Sequence, residues 1–321
     1  MLDWKSLPRP IIALSPMADM TDSAFCRVVR AVTPKEVPLV MFREMVSSEA
    51  VVRGSDKTLG MTLIHADERP LVQQLFGSDP ETMAAAAKMI EAEHHPEGFD
   101  INMGCPVYKI VHNFNGAALM KEPELATRII KAMKAVITVP LSVKIRLGWS
   151  DPTECLDFIK TLEAAGAELV TVHGRTKTQG YSGKSDWAMI ARAKQQVSIP
   201  VLCNGDIHSA EQIPEALKIS GCDGVLIARG ALGNPWFFAQ AAEVLAGKKP
   251  TPVTLEERVR VVRLHAKLHV EQYGERGLVS FRKHLTWYFK GLPHAKLLRE
   301  RLINVTTIAD LDILMNEILH V

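Results

Sequence analysis

Eight short apolar runs recur along the first 230 residues of the chain, each about four to six residues long. They are rich in valine, isoleucine and leucine, too short for a typical helix and too continuous for a strand that exposes one face. Such runs are typical of buried parallel strands. The eight predicted strands are Ile11–Leu14, Leu39–Phe42, Leu71–Leu75, Phe99–Asn102, Leu141–Arg146, Leu169–His173, Val201–Asn204 and Gly224–Ala228.

Helical segments separate most of these runs. Ser78-Asp79-Pro80, a typical helix start, precedes an alanine-rich stretch, and other segments begin after similar signals. The predicted helices are Glu81–His94, Pro123–Val136, Pro152–Ala165, Trp187–Gln196 and Ala210–Ile219. Eight strands alternating with helices predict an α/β fold, the (β/α)8 TIM barrel, with a doubly wound open sheet as the main alternative.

The pattern changes after residue 246. Lys248–Pro252 is typical of a linker, and four helical segments follow with no strand between them. These predicted helices are Thr254–Gln272, Leu278–Phe289, Ala295–Asn304 and Ile308–Leu319. We therefore predict two domains, a barrel over residues 1–246 and an all-helical domain over residues 247–321.

Charge is distributed unevenly between these two parts. Residues 246–321 carry 13 Lys/Arg and 8 Asp/Glu, a net charge of +5, whereas the first 245 residues carry 25 and 28, a net charge of −3. A basic helical end indicates either a polyanionic partner or an ordinary solvated surface, and charge alone leaves both open.

Cysteine and histidine usage gives no sign of a metal site. The five cysteines are scattered without a Cys-x-x-Cys pair, so we do not expect a disulfide framework. We expect the protein to work in a reducing cytoplasm. His265 and His269 lie four residues apart on one helix face, where we expect exposure rather than metal ligation. The N-terminus lacks a signal-peptide pattern, and no apolar run is long enough for a membrane span.

Polar residues collect where the predicted strands end, which is where barrel enzymes hold their active sites. Lys144 and Arg146 lie two residues apart on one strand and therefore face the same side. Two cations pointing into a barrel are unfavourable without an anionic or strongly polar partner. Asp100 could supply a structural salt bridge, a bound anionic group could satisfy the pair, and Lys144 could form a Schiff base in a sugar-phosphate lyase.

Cys105 lies in a Gly-Cys-Pro turn directly after a strand end, unlike Cys155, Cys203 and Cys222, which fit the pattern of inert core cysteines. An ordinary thiol is mostly protonated at neutral pH and can donate a proton. With His173 as a base it could instead act as a nucleophile, and sequence spacing leaves both roles open.

The turns after the seventh and eighth strands are candidates for phosphate binding. Gly205 and Gly230 would allow a close backbone approach to an anion, and Arg229 would add a charge-assisted contact. The alternative is that both glycines only serve tight turns. A Gly-x-Gly-x-x-Gly motif is missing from the sequence, which disfavours a Rossmann dinucleotide site.

The strand-end motifs, taken together, resemble the tRNA-dihydrouridine synthase family, and the bacterial branches most closely. They occur in family order between residues 11 and 235. The motifs are Ser15-Pro16-Met17, Gln74-Leu75-Phe76-Gly77, Asp100–Pro106 followed by Lys109, Asn115–Leu119, Ser142–Gly148, His173–Thr176, Asn204–Ile207 and Ile227–Ala231. The stretch Val107–Phe114 departs from the family pattern, which usually has more small and basic residues there.

The resemblance implies an FMN cofactor on the catalytic face, NADPH as reductant and tRNA as substrate, bound by the helical domain. The implied cofactor residues are Pro16, Met17, Ala18, Gln74, Lys144, His173, Asn204, Gly205, Asp206, Ala228, Arg229 and Gly230. The implied uracil contacts are Asn102, Arg146 and Arg175, with His173 also beside the base. No metal and no membrane contact are expected, and the chain is expected to be a cytoplasmic monomer.

The implied reaction reduces the C5–C6 double bond of specific tRNA uridines to 5,6-dihydrouridine. Hydride passes from N5 of reduced FMN to C6, and Cys105 donates a proton to C5 from the opposite face. Three alternatives remain: an FMN barrel acting on a free pyrimidine or dihydroorotate, a catalytically silent RNA-binding barrel, and the flavin-free lyase or isomerase.

Overall fold

The protein folds into a closed barrel of eight parallel strands in chain order, with β1 pairing to β8. This computed structural model describes residues 2–291 and 295–320. The strands are β1 (Ile11–Leu14), β2 (Leu39–Ser47), β3 (Leu71–Phe76), β4 (Gly98–Met103), β5 (Leu141–Arg146), β6 (Leu169–His173), β7 (Val201–Asn204) and β8 (Gly224–Ile227). The predicted TIM barrel is confirmed, and the open doubly wound sheet is wrong.

Fourteen α-helices lie in the described residues, of which ten surround or follow the barrel strands and four form the C-terminal region. The sequence pattern predicts all but α1, α2, α3, α5 and α10. The helices are α1 (Ser23–Val32), α2 (Ser48–Val52), α3 (Asp56–Thr62), α4 (Pro80–His94), α5 (Tyr108–Val111), α6 (Pro123–Lys134), α7 (Cys155–Ala165), α8 (Trp187–Lys194), α9 (Ile213–Ser220), α10 (Phe237–Leu245), α11 (Leu255–Tyr273), α12 (Gly277–Tyr288), α13 (Ala295–Leu302) and α14 (Ile308–Leu319).

Strand register places the polar side chains of neighbouring strands side by side. Asn102 of β4 pairs with Lys144 of β5, and Arg146 pairs with His173 of β6. Because side chains alternate along a strand, Val143 and Ile145 point the other way and are fully buried under the surrounding helices. The same register therefore builds the core on one face and assembles polar groups on the other.

The C-terminal helices share a second hydrophobic core. Its members include Phe281, Leu285 and Leu314, and it continues into the barrel part through Ala24 and Val28 of α1. Because this core reaches α1, the division at residues 246 and 247 into separate domains stays a prediction. Over residues 2–291 and 295–320, no helix combines the length and apolar character that a membrane crossing needs.

The exposure predicted for two α11 histidines is wrong. His265 is 0% exposed and His269 is 1% exposed. The face that carries them packs against α1 rather than facing water. The i, i+4 spacing identifies a common helix face correctly, but which face of α11 the rest of the protein covers depends on tertiary packing.

Candidate active site at the carboxyl ends of the strands

A cleft of about 540 Å³ opens at the carboxyl ends of the strands. Most of the predicted site residues meet in its wall. The wall contains Pro16, Met17, Ala18, Gln74, Asn102, Cys105, Lys144, Arg146, His173, Asn204, Gly205, Asp206, Ala228 and Arg229. Arg175 and Gly230 pack behind this wall, against Asp206 and Ile207 respectively.

A chain of hydrogen bonds fixes the amides beneath the cleft. Gln74 Nε2 donates to Asp100 Oδ2 at 2.6 Å, and Ser142 Oγ donates to the other carboxylate oxygen at 2.6 Å. Asn102 Nδ2 donates to Gln74 Oε1 at 2.9 Å. Burial raises the pKa of Asp100 to about 6, against the hydrogen bonds that lower it. The buried carboxyl group therefore serves to orient Gln74, and Gln74 orients Asn102.

The turn that carries Cys105 is held from several sides. Asn102 Oδ1 accepts hydrogen bonds from the backbone N–H of Gly104 at 3.2 Å and of Cys105 at 2.9 Å. Arg146 Nε donates to the Gly104 carbonyl at 2.7 Å. A Cβ at Gly104 would lie 3.3 Å from the carbonyl carbon of Ile145, so glycine lets the turn sit against β5. The half-buried thiol thus has a fixed place in the cleft wall.

Lys144 is a desolvated cation facing the cleft. Burial and the neighbouring Arg146 lower its pKa to about 8. Asp100 instead accepts from Gln74 and Ser142, which disfavours the structural salt bridge as an explanation. In the described part of the chain, the lysines in ion pairs are Lys134, Lys160 and Lys194. Lys144 is therefore available to an anionic or polar ligand.

Arg146 ties loops together through backbone carbonyls. Besides Gly104, it donates to Thr176 O at 2.9 Å and to Gly180 O at 2.7 Å, and the residue is 2% exposed. Its guanidinium therefore links the turn after β4 to the loop after β6. A direct contact between Arg146 and a substrate stays a prediction.

We expect Arg146→Ala to lower the free energy of unfolding by about 3 kcal/mol, because the buried carbonyls lose a charged donor. Arg146→Lys should recover little of this free energy, since a single ammonium group lacks the branched guanidinium that reaches three carbonyls. Urea denaturation measures both variants. Arg53→Ala, which removes an exposed i, i+4 ion pair, is the control and should stay within about 0.5 kcal/mol. An unchanged unfolding midpoint for Arg146→Ala would contradict this role.

His173 is kept neutral by its surroundings. Burial lowers the pKa of its imidazole well below the ordinary value, and the cations Lys144, Arg146 and Arg175 lower it further. Arg175 is itself held by both carboxylate oxygens of Asp206, at 2.9 and 2.7 Å. Such a weak base is unsuited to removing the Cys105 proton, which disfavours the alternative of a nucleophilic thiol activated by His173.

The glycines after β7 and β8 are required by packing. Gly205 has φ of +115°, and a Cβ there would lie 2.8 Å from His173 Cδ2. A Cβ at Gly230 would lie 2.5 Å from the Ile207 carbonyl oxygen. The tight-turn alternative therefore accounts for both glycines without a ligand. Arg229 has a side chain that is 41% exposed, and its Nη2 lies 3.6 Å from Asp206 Oδ1, so it is a partly open cation at this end of the cleft.

Several wall residues are not predicted by the sequence. Met45 places its sulfur 3.2 Å from Asn102 Nδ2, and the Tyr181 ring lies 5.6 Å from the Arg146 guanidinium and 5.3 Å from that of Arg229. Trp287 of α12 brings the C-terminal helices to the cleft. Tyr181 and Trp287 lie outside any strand end, so the barrel pattern carries no signal for them.

The sequence matches the family model described as dihydrouridine synthase over residues 12–320. The chain belongs to the dihydrouridine synthase family. The predicted family and its activity are confirmed: this oxidoreductase reduces uridines in tRNA to dihydrouridine. The alternative of a free pyrimidine or dihydroorotate substrate is not favoured.

Curated relatives of this dihydrouridine synthase come from Mycobacterium and Synechocystis. A probable tRNA-dihydrouridine synthase of Mycobacterium leprae is 42% identical over 282 residues, covering 86% of this chain and 73% of that protein. One from Mycobacterium tuberculosis is 39% identical over 322 residues, covering 97% of this chain and 82% of that protein. Probable tRNA-dihydrouridine synthase 1 of Synechocystis is 38% identical over 299 residues, covering 92% and 82%.

Two solved structures share the barrel fold at low sequence identity. An old yellow enzyme homologue from Zymomonas mobilis superposes with a TM-score of 0.52 at 11% identity, covering 80% of this chain and 94% of that one. A 2-naphthoyl-CoA reductase bound to 2-naphthoyl-CoA gives a TM-score of 0.55 at 11% identity, covering 74% of this chain and 50% of that one. At this identity the likeness shows the fold alone.

Proposed function

We propose that the cleft holds FMN, takes its electrons from NADPH and reduces a tRNA uridine with Cys105 as proton donor. One observation carries the proposal: the Cys105 turn and the desolvated Lys144 lie in the wall of one cleft at the barrel mouth. A thiol and a cation facing the same space suit a reaction that needs a proton and a stabilised negative charge.

The residues present fit a flavin. Lys144, without a carboxylate partner in the described residues, would hold the pyrimidine end of the ring, and Gln74 would meet the ring through its fixed amide. Arg229, open to solvent at the other end, would hold the phosphate. Pro16, Met17, Ala18, Asn204, Asp206 and Ala228 would complete the site. When bound, the flavin supplies the hydride chemistry.

The chain itself supplies placement and a proton. Asn102 and Arg146 hold the Gly104–Cys105 turn so that Cys105 Sγ can donate its proton to C5 of a uracil. His173, neutral because burial and cations lower its pKa, can hydrogen-bond the base without taking the thiol proton. The base must leave its stack to reach this depth, and these polar contacts offset part of that cost.

The cleft rim offers surfaces suited to RNA. Tyr108 and Phe114, just beyond Cys105, are 73% and 61% exposed, and exposed aromatic rings stack on unpaired bases. Lys290 lies 4.8 Å from the ring centre of Trp287, which lines the cleft. We propose that the C-terminal helices bind the tRNA body and that the protein acts as a cytoplasmic monomer.

We expect the double variant Lys283→Ala/Lys290→Ala to raise the KM for tRNA several-fold while kcat changes little, because phosphate contacts add uniform binding. The slope of log affinity against log salt should become less negative by about 1 per lysine. Arg282 is unsuitable for this test, since its Nε donates to Val305 O at 2.7 Å. Lys160→Ala, on the barrel helix α7, is the control, and an unchanged slope in the double variant would place the RNA contacts elsewhere.

Substrate comparison tests the proposed function. The purified chain should carry a yellow flavin that NADPH bleaches and that unmodified tRNA re-oxidises, with dihydrouridine formed in the tRNA. Free uridine or orotate should re-oxidise it far more slowly. A colourless protein that binds tRNA tightly, or one that prefers the free base, would contradict the proposal.

A further inference from the structure

Four titratable side chains meet in the core between α1 and the C-terminal helices. Asp22 caps the N-terminus of α1, His265 and His269 come from α11, and His284 comes from α12. One possible ligand atom of each lies within 4.8 Å of the others. The residues are between 0% and 1% exposed. This histidine–aspartate cluster is separate from the cleft and has no part in the chemistry proposed above.

Each member of the cluster has one buried atom without a hydrogen-bond partner. These atoms are Asp22 Oδ2, His265 Nε2, His269 Nδ1 and His284 Nε2. Buried polar atoms are normally satisfied, and a single orphan is already unfavourable. Four orphans from four residues, all gathered in one place, indicate an electrophile that would satisfy them together.

Other atoms of the same residues are engaged by the protein. His265 Nδ1 lies 3.0 Å from the Tyr288 hydroxyl, and His269 Nε2 lies 2.8 Å from Ser280 Oγ. Asp22 Oδ1 accepts from the backbone N–H of Phe25 at 2.9 Å. Metal-binding histidines are typically oriented in this way, with the outer ring nitrogen hydrogen-bonded and the inner one directed at the ion.

We propose that Asp22, His265, His269 and His284 bind a structural Zn²⁺ ion that clamps α11 and α12 onto α1. Three imidazoles and one carboxylate are a donor set that zinc accepts, and four protein ligands leave no position for substrate. His269 Nδ1 lies 3.4 Å from Asp22 Oδ2. Two ligands of a tetrahedral zinc with bonds of about 2.1 Å are separated by about the same distance.

The surroundings suit a closed metal site. Phe25 packs against His265 and His284 with ring centres 5.5 and 5.7 Å apart, and Phe281 lies 4.8 Å from His265. These aromatic rings shield the four side chains, which are between 0% and 1% exposed, from solvent.

The competing explanation is a proton rather than a metal. A protonated His269 would form an ion pair with Asp22 and would leave the facing nitrogens of His265 and His284 without partners. Zinc satisfies all four atoms at once, which is why we favour it.

Metal content and stability of the full-length wild-type protein test the proposal without any activity assay. Purified without chelator or affinity-tag metal, the chain should contain one Zn²⁺ by mass spectrometry. X-ray absorption should show a shell of light ligands at about 2.0–2.1 Å with imidazole scattering. Removing zinc with a strong chelator should lower the Tm by on the order of 10 °C, and ZnCl₂ should restore it.

Two variants assign the ligands. Asp22→Asn keeps an oxygen that can cap α1 but removes the anionic ligand, and His284→Gln keeps a polar side chain without the imidazole. Both should lose most of the zinc, whereas the exposed His320→Ala should retain it. If the variants do not fold, the wild-type measurements decide. A metal-free wild-type protein whose Tm responds to neither ZnCl₂ nor chelator would overturn the proposal, as would Asp22→Asn and His284→Gln proteins that retain one zinc.

Discussion

Replacing Cys105 with alanine is expected to lower dihydrouridine formation by about 10²- to 10⁴-fold, the usual contribution of a general acid. Flavin content and the rate of flavin reduction by NADPH should stay close to wild type, because in the proposed mechanism the thiol donates its proton only after uridine has entered. The turn itself is held by backbone contacts with Asn102 and Arg146, so the alanine variant should fold normally. Single-turnover assays on unmodified tRNA separate the two half-reactions.

Cys222→Ala is the matched control for the thiol. Cys222 is half-buried outside the cleft, and burial raises the pKa of its thiol to about 11. This variant should turn over normally. Cys105→Ser should be nearly as slow as alanine, since a hydroxyl is a much weaker acid than a thiol. Turnover of Cys105→Ala at the wild-type rate would contradict the proton-donor role of Cys105.

Lys144→Met is the second variant with a large expected effect. In the proposed flavin site the Lys144 cation would stabilise the negative charge that the flavin gains on reduction, so its loss should slow reduction by NADPH by about 10²- to 10³-fold. Protein stability should be unchanged or higher, because a desolvated charge is replaced by an apolar chain of similar length. Anaerobic stopped-flow measurements of flavin bleaching give the rate.

The rate of flavin reduction by NADPH should also depend on pH in a defined direction. Burial lowers the pKa of Lys144 to about 8, so the ammonium is charged below this pH and increasingly neutral above it. A bound flavin would raise this pKa, so wild-type flavin reduction should slow as the pH rises above about 8, while Lys144→Met should show no such titration. The exposed Lys121→Met is the control and should keep the wild-type profile. An identical profile in Lys144→Met would assign the titration to another group.

The barrel strands are well predicted because parallel strands buried on both faces leave continuous apolar runs. β1, β5, β6 and β7 have the bounds that the sequence predicts. Strand ends in a barrel meet by necessity, so residues as distant as Asn102 and Arg229 could be assigned to one site from the fold class alone.

Hydrogen-bond partners are less predictable than residue positions. The sequence identifies Arg146 and Arg175 as strand-end cations. It does not show that Arg146 donates to backbone carbonyls or that Arg175 pairs with Asp206. Those partners come from loop conformations that carry no periodic signal. The histidine–aspartate cluster is hidden for a related reason, since α1, α11 and α12 contribute to it and Asp22 lies far from the histidines in sequence.

The central claim is that the thiol of Cys105 and the hydride donor lie on opposite faces of the uracil. Reaction of unmodified tRNA with NADPH deuterated at C4, carried out in D₂O, tests it directly, with the isolated dihydrouridine examined by NMR. We predict one deuterium at C5, trans to the deuterium delivered at C6. A cis arrangement of the two deuterium atoms, or a mixture of cis and trans, would contradict the geometry.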